Sequence, residues 1–214
     1  MIYIERAEYF IPTEEQPLPD VKFVPMLTRR RLSQLSKMVV YVNAAISKDI
    51  EPCKVTFASQ YGEITQQYKI SQALLDTGNV SPAHFSLSVF NASIANATIL
   101  EKNTAGYSAV FSGREAFRDG LRDCIAALEA GSETERLFIF ADEKIPETYA
   151  PVAGTPYPNA VCALALRLTT DKNRGGKELD KTPLEGKFET AVLVGGEPER
   201  QGAHGVREIG RAHV

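Results

Sequence analysis

Residues 107–131, YSAVFSGREAFRDGLRDCIAALEAG, followed by RLFIFAD at 136–142, decide the fold. YSAVFS at 107–112 is short and β-rich, and it runs straight into Gly113. Over 114–130, Phe117, Leu121, Cys124, Ile125 and Leu128 recur at helical spacing, with charges on the other side. This spacing predicts an amphipathic helix that Gly131 ends. RLFIFAD is nearly continuously apolar, as a strand covered on both faces must be. Strand, helix and buried strand in succession are the unit of a layered α/β domain.

The same reading extends in both directions. C-terminal to this unit, a proline-containing stretch at 146–158 leads into AVCALALRL at 160–168, a second apolar strand. Residues 170–187 are polar and rich in Gly and Lys, and are expected to be a mobile loop; FETAVLV at 188–194 is a candidate last strand. On the N-terminal side, Ser81-Pro82 opens a predicted helix, with Ser81 as cap and Pro82 at the first helical position. The following AHFSLSVFNASIANATI mixes small residues with Phe85, Leu87, Val89, Phe90, Ile94 and Ile99, a composition that suits a closely packed helix or an interface. A helix is predicted over 63–75, with Ile64, Tyr68 and Leu75 among its apolar positions, and a strand over CKVTFAS at 53–59. Thr28 can cap a further helix whose buried face is Leu32, Leu35, Val39, Val42 and Ile46. Pro12, Pro17, Pro19 and Pro25 mark most of 1–25 as an extended or looping arm. No internal repeat is visible.

The 214 residues are 43% hydrophobic and 24% charged, with a net charge of −3. That balance suits a soluble globular domain and argues against a general nucleic-acid surface, which needs a broad basic excess. The N-terminus MIYIERAEYF lacks the basic and apolar regions of a secretory signal, and no run is long enough to span a membrane. A cytoplasmic location is therefore expected. Cys53, Cys124 and Cys162 are odd in number, widely spaced and set among apolar neighbours, so they read as buried hydrophobes; no metal site and no cofactor is expected. Residues 195–214 have no hydrophobic periodicity. The closing Ile-Gly-Arg-Ala-His-Val matches one reading frame of a common sequencing adapter, so the tail is expected to be non-native.

Four segments in order carry a resemblance: VPMLTRRRLSQLSKM (24–38), VTFASQYGEI (55–64), SPAHFSLSVFNASIANATI (81–99) and LFIFADEKIPETY (137–149). Together they resemble the β-ketoacyl-synthase-like N-terminal family, which includes chain-length-factor-like subunits of aryl polyene and related type II polyketide systems. The resemblance implies a thiolase-like fold in its N-terminal half only. It assigns residues 1–168 to the ketosynthase-like half domain, 169–194 to a loop and possible last strand, and 195–214 to the tail.

A ketosynthase places a nucleophilic cysteine at a sharp strand-to-helix turn, where the helix N-terminus favours the thiolate. The corresponding turn here is Ser112, Gly113, Arg114 and Glu115, and none of these is cysteine. Cys124 lies in step with Phe117, Leu121 and Leu128, away from the dipole end that would activate it. The catalytic histidines of the family come from the absent C-terminal half, and His84 is the only histidine outside the tail. Ser86, Ser88 and Ser112 sit in no Gly-x-Ser-x-Gly elbow.

The resemblance therefore implies a non-catalytic subunit, a heterodimer partner of a full-length ketosynthase. His84, Phe85, Leu87, Val89, Phe90 and Asn91 would contact that partner or line the end of its acyl tunnel, and bulky side chains there would limit chain length because overpacking is costly. Arg29, Arg30 and Arg31 are read in the first turn of a helix, where positive charge opposes the macrodipole. Either salt bridges to Asp or Glu, within the domain or across the dimer, offset that charge, or the run docks an acidic acyl carrier protein. The competing enzyme reading is a stand-alone acyl thioesterase or acyltransferase using Cys124 or a serine.

Overall fold

The computed structural model describes residues 1–149, 161–174 and 176–181. In chain order these form β1 (Tyr3–Phe10), α1 (Met26–Arg29), α2 (Gln34–Ser47), β2 (Val55–Ala58), α3 (Ile64–Thr77), α4 (Pro82–Phe85), α5 (Ala92–Leu100), β3 (Tyr107–Val110), α6 (Ala116–Glu129), β4 (Glu135–Asp142), β5 (Cys162–Thr169) and β6 (Lys177–Glu178). The strands form one sheet in the order β3-β2-β4-β5-β1-β6. β2 runs parallel to both β3 and β4, whereas β5 and β1 are antiparallel to their neighbours. β4 and β5 are central, and all of β5 and nearly all of β4 are buried, as their largely apolar sequences require, with the buried Arg136 and Arg167 ion-paired.

Helices cover both faces. On one, Leu35, Val39, Val42 and Ile46 of α2 pack with Ile94 and Ala97 of α5 against Phe57, Leu137 and Ile139. On the other, Leu121, Cys124, Ile125 and Leu128 of α6 pack against Phe138, Leu164 and Leu166. Gly120 brings α6 onto the sheet: a Cβ there would fall 2.5 Å from the Ala58 Cβ and 3.0 Å from the Phe138 ring. Three layers around one sheet confirm the layered α/β expectation.

Several local readings change. The arm at 1–25 contains β1, an inner strand that pairs with β5 from Tyr3 to Phe10 with a bulge at Glu5; its ends Tyr3 and Phe10 are buried. Ionisable residues inside β1 hid it. Glu5 and Glu135 instead clasp the buried Arg167, with Arg167 Nη2 2.5 Å from the Glu135 carboxylate and Nε 3.3 Å from that of Glu5. Residues 170–174 and 176–181 are not simply a loop, because β6 adds a short edge strand to β1. Thr28 lies inside the one-turn α1. The helix that holds the predicted buried face is capped by Ser33, whose Oγ accepts from the Ser36 amide at 2.8 Å. Arg29 thus ends α1 and Arg30 caps it, so these charges sit with the backbone dipole rather than against it. Ser81 makes no side-chain cap, although Pro82 holds the first helical position. The stretch 81–99 is two helices, α4 and α5, separated by an irregular turn at 86–91. α3 buries no residue, and Leu75 on it is 81% exposed. The candidate strand at 188–194 and the tail at 195–214 lie outside the described residues.

Candidate partner face and the strand-to-helix turn

At the carboxyl end of β3 the chain passes through Ser112 and a single 3₁₀ turn, Gly113–Glu115, into α6. Gly113 takes φ +63°, a left-handed conformation that glycine adopts without strain. Ser112, Gly113 and Arg114 are exposed, and Glu115 pairs with Arg118 at 3.0 Å. The turn leads from a strand into a helix, and none of its residues is cysteine. The three cysteines are buried and free. Burial pushes Cys124 and Cys162 up to about 12 and raises Cys53, so none supplies a thiolate near neutrality. Ser86 and Ser88 donate to the backbone carbonyls of Ala83 and Phe85, each at 2.9 Å, bonds that belong to helical turns rather than to a catalytic pair.

The 81–91 segment lies at the surface. Phe85 is 57% exposed and Phe90 47%, and Ile99 of α5 reaches 73%. Leu87, Val89 and Asn91 line a groove of about 380 Å³ with Leu27, Arg31 and Ile99. Asn91 donates to the Tyr107 hydroxyl at 2.8 Å, tying the segment to β3. β3 is the edge of the sheet, and its outer backbone groups have no strand partner among the described residues. An apolar surface beside an unpaired edge is a face that a partner would cover.

A second groove, about 670 Å³, adjoins the first through Arg31 and Leu87. Arg30, Arg31, Lys69 and His84 line it, and no acidic residue does. Among the described residues Arg30, Arg31 and Lys69 make no ion pair, whereas Arg136, Arg167 and Arg174 all pair with carboxylates. Among the described residues no salt bridge within the domain offsets the arginine run, although Arg29 acts at longer range on Asp20 and Lys69 on Glu143; the other expected offset is one across the dimer. Arg29 lines neither groove.

The most ordered polar feature is one that the sequence reading missed. Asp142, Glu143 and Glu63 gather, all buried, at the carboxyl ends of β4 and β2. Asp142 accepts from the Ser59 hydroxyl at 2.7 Å and from the Gln60 and Tyr61 amides at 3.0 Å. Glu143 accepts from the Leu35 amide in the first turn of α2 and the Thr65 amide in that of α3, at 3.3 and 3.1 Å. Glu63 accepts from Ser36 Oγ at 2.6 Å, and its other oxygen is buried without a hydrogen-bond partner. Burial raises all three acids, Glu63 to about 7 and Asp142 to about 6, against the lowering effect of these hydrogen bonds. An acid pair closing the apolar run LFIFA was the one local signal, and it says nothing of the convergence with Glu63. Among the described residues no group of His, Cys, Asp and Glu could hold a metal, and no helix is long and apolar enough to cross a membrane.

The single mixed sheet layered between helices is a thiolase-like domain, and the chain belongs to the family of β-ketoacyl synthase N-terminal domains, whose model matches residues 4–194. Among solved structures, it is similar to a ketosynthase (ApeO) in complex with its chain length factor (ApeC) from Xenorhabdus doucetiae. That match has 27% identity and a TM-score of 0.69, covering 79% of both chains, so the matched chain is of comparable length. A β-ketoacyl synthase from Burkholderia phymatum STM815 matches at 15% identity and TM-score 0.57, over 74% of this chain and 48% of that one. A type II acyl-carrier protein complex with its ketosynthase matches at 13% and 0.60, over 73% and 53%. The last two show the fold alone, and this chain spans about half their length. No curated protein matches the chain.

Proposed function

We propose that this chain is a chain-length-factor-like subunit that pairs with a full-length β-ketoacyl synthase in an aryl polyene or related polyketide system, and is itself non-catalytic. The observation that carries this reading is the uncovered apolar face of Phe85, Val89, Phe90 and Ile99 beside the open edge of β3. The similarity to a ketosynthase and chain length factor pair supports it. On this reading His84, Phe85, Leu87, Val89, Phe90 and Asn91 meet the partner or close the far end of its acyl tunnel, and the Ser112–Glu115 turn keeps the elbow without the nucleophile. The domain reaches past the expected 1–168, because β5 ends at Thr169, β6 pairs with β1 and Leu179 joins the core. The basic groove of Arg30, Arg31 and Lys69, with Arg29 nearby, is the place where an acidic acyl carrier protein would dock. The thioesterase or acyltransferase alternative is opposed by the inert, buried Cys124 and by Ser86 and Ser88, which are bonded to their own helical turns.

The test is co-expression with the ketosynthase encoded beside it, followed by affinity purification and size exclusion. We expect a one-to-one complex whose condensation activity is lost with the partner's cysteine alone. A Phe85→Asp/Ile99→Asp variant should lose the complex while keeping its melting temperature, because both side chains are exposed in the free chain. A monomer that ignores the ketosynthase overturns the proposal.

A further inference from the structure

Asp142 ends β4, and its carboxylate fixes an entire turn. Oδ1 accepts from Ser59 Oγ at 2.7 Å and from the Gln60 and Tyr61 amides at 3.0 Å; Oδ2 accepts a second contact from the Gln60 amide at 3.1 Å. Ser59 Oγ in turn accepts from the Gly62 amide at 2.8 Å. The chain reverses at Gly62 with φ +58°, and the Phe90 ring lies against its Cα. A Cβ at Gly62 would meet Phe90 Cδ1 at 2.6 Å and Phe111 Cε1 at 3.5 Å. The Phe90 and Phe111 rings are 4.8 Å apart at 40°, and Phe111 packs on Phe57 in the core. Phe90 itself belongs to the irregular 86–91 turn, so its own backbone forms no regular helix that would fix the ring. The ring is placed by what it rests on: the Phe111 ring on one side and, beneath it, Gly62 of the Ser59–Gly62 turn.

We propose that Asp142 is a positioning residue for the partner face: by holding the Ser59–Gly62 turn it sets where the Phe90 ring lies, and with it how tightly the partner docks. The second half rests on the reading of 81–91 as a ketosynthase contact. The groups that face Asp142 are Glu143 at the same strand end, Tyr61 from the turn and Cys162 opposite on β5, with Arg114 acting on Tyr61. Burial, with Glu143 adding to it, raises Asp142 to about 6, so mild acid neutralises it. A protonated carboxyl has fewer acceptor sites for three donors, and its own proton competes with the Ser59 hydroxyl. The turn then loosens and the ring shifts.

The test places fluorophenylalanine at position 90 of the full chain and follows its fluorine resonance between about pH 5 and about pH 8. We expect a titration with a midpoint near the Asp142 value of about 6, abolished in Asp142→Asn. Ser59→Ala keeps the carboxylate but removes its hydroxyl donor and the Gly62 acceptor, and should displace the resonance at every pH; it serves if Asp142→Asn does not fold. Binding to the ketosynthase encoded beside it should weaken roughly tenfold in either variant. A folded Asp142→Asn or Ser59→Ala chain whose Phe90 resonance matches the wild type overturns the proposal. A resonance that responds while no ketosynthase binds wild type at any pH leaves the ring positioning standing and overturns the partner reading instead.

Discussion

Glu63 is 0% exposed, with one carboxylate oxygen bonded to Ser36 and the other unbonded. Desolvation outweighs the serine hydrogen bonds and lifts the acid from 4.5 to about 7, with Glu143 adding to the rise. The folded state therefore holds this proton more tightly than the unfolded chain does. The resulting stability is complete below about pH 4.5 and is lost as pH rises through about 7. Glu63→Gln should be more stable than wild type at pH 8 by roughly 1–3 kcal/mol, and its stability should vary less between about pH 5 and pH 8. Urea denaturation across that range checks both; a Glu63→Gln chain that is less stable than wild type at high pH contradicts the assignment. These acids were illegible in the sequence because nothing local says that Asp142, Glu143 and Glu63 converge, or that two helix starts and a serine turn aim donors at them. The buried cysteines were legible, since Cys124 shares its helical stripe with Leu121 and Leu128.

At the level of elements, hydrophobic period located α2, α6, β4 and β5, because each buries a face or a whole strand and so carries an uninterrupted signal. β1 escaped, since Glu5 and Arg6 break its apolar pattern, and the proline-rich stretch that follows set the tone for the whole N-terminus. Its charges are tolerated because Glu5 clasps Arg167 and Arg174. The α4–α5 break also escaped: residues 81–99 are apolar enough to read as one helix, and only the irregular turn at 86–91 brings Phe90 over Gly62. Gly120 belongs to this scale. Mid-helix glycine normally costs stability, but here α6 approaches β2 too closely for a side chain. Gly120→Ala should therefore destabilise by about 1–3 kcal/mol despite its better helix propensity, read as a lower midpoint in urea. A gain in stability would mean that α6 can move off the sheet freely.

For the whole molecule, the two grooves share Arg31 and Leu87, so an apolar face and a basic face meet along one line. The chain carries −3 in total, yet Arg30, Arg31 and Lys69 stand together around a groove without an acid. Field focused in this way accelerates encounter with an acidic partner and is screened by salt. In the reconstituted heterodimer, Arg30→Glu/Lys69→Gln, two residues that line only the second groove, should lower the rate of carrier-protein-dependent condensation roughly tenfold at low salt, less at high salt, and leave the ketosynthase complex intact on size exclusion. Unchanged condensation kinetics would move carrier docking off this chain.

The sequence by itself determined the layered α/β class, the buried cysteines, the absence of a thiol at the Ser112–Glu115 turn and the family. Each is written in residue identity or in a local repeat of apolar side chains. The tertiary structure alone decided that the first strand lies inside the sheet and that Arg30 and Arg31 line one groove with Lys69 and His84. It also decided that three buried acids gather beside the turn beneath Phe90. These depend on contacts between residues far apart in the chain, Asp142 with Ser59 and Glu143 with Leu35, and no local pattern encodes a pairing that only the packed sheet creates.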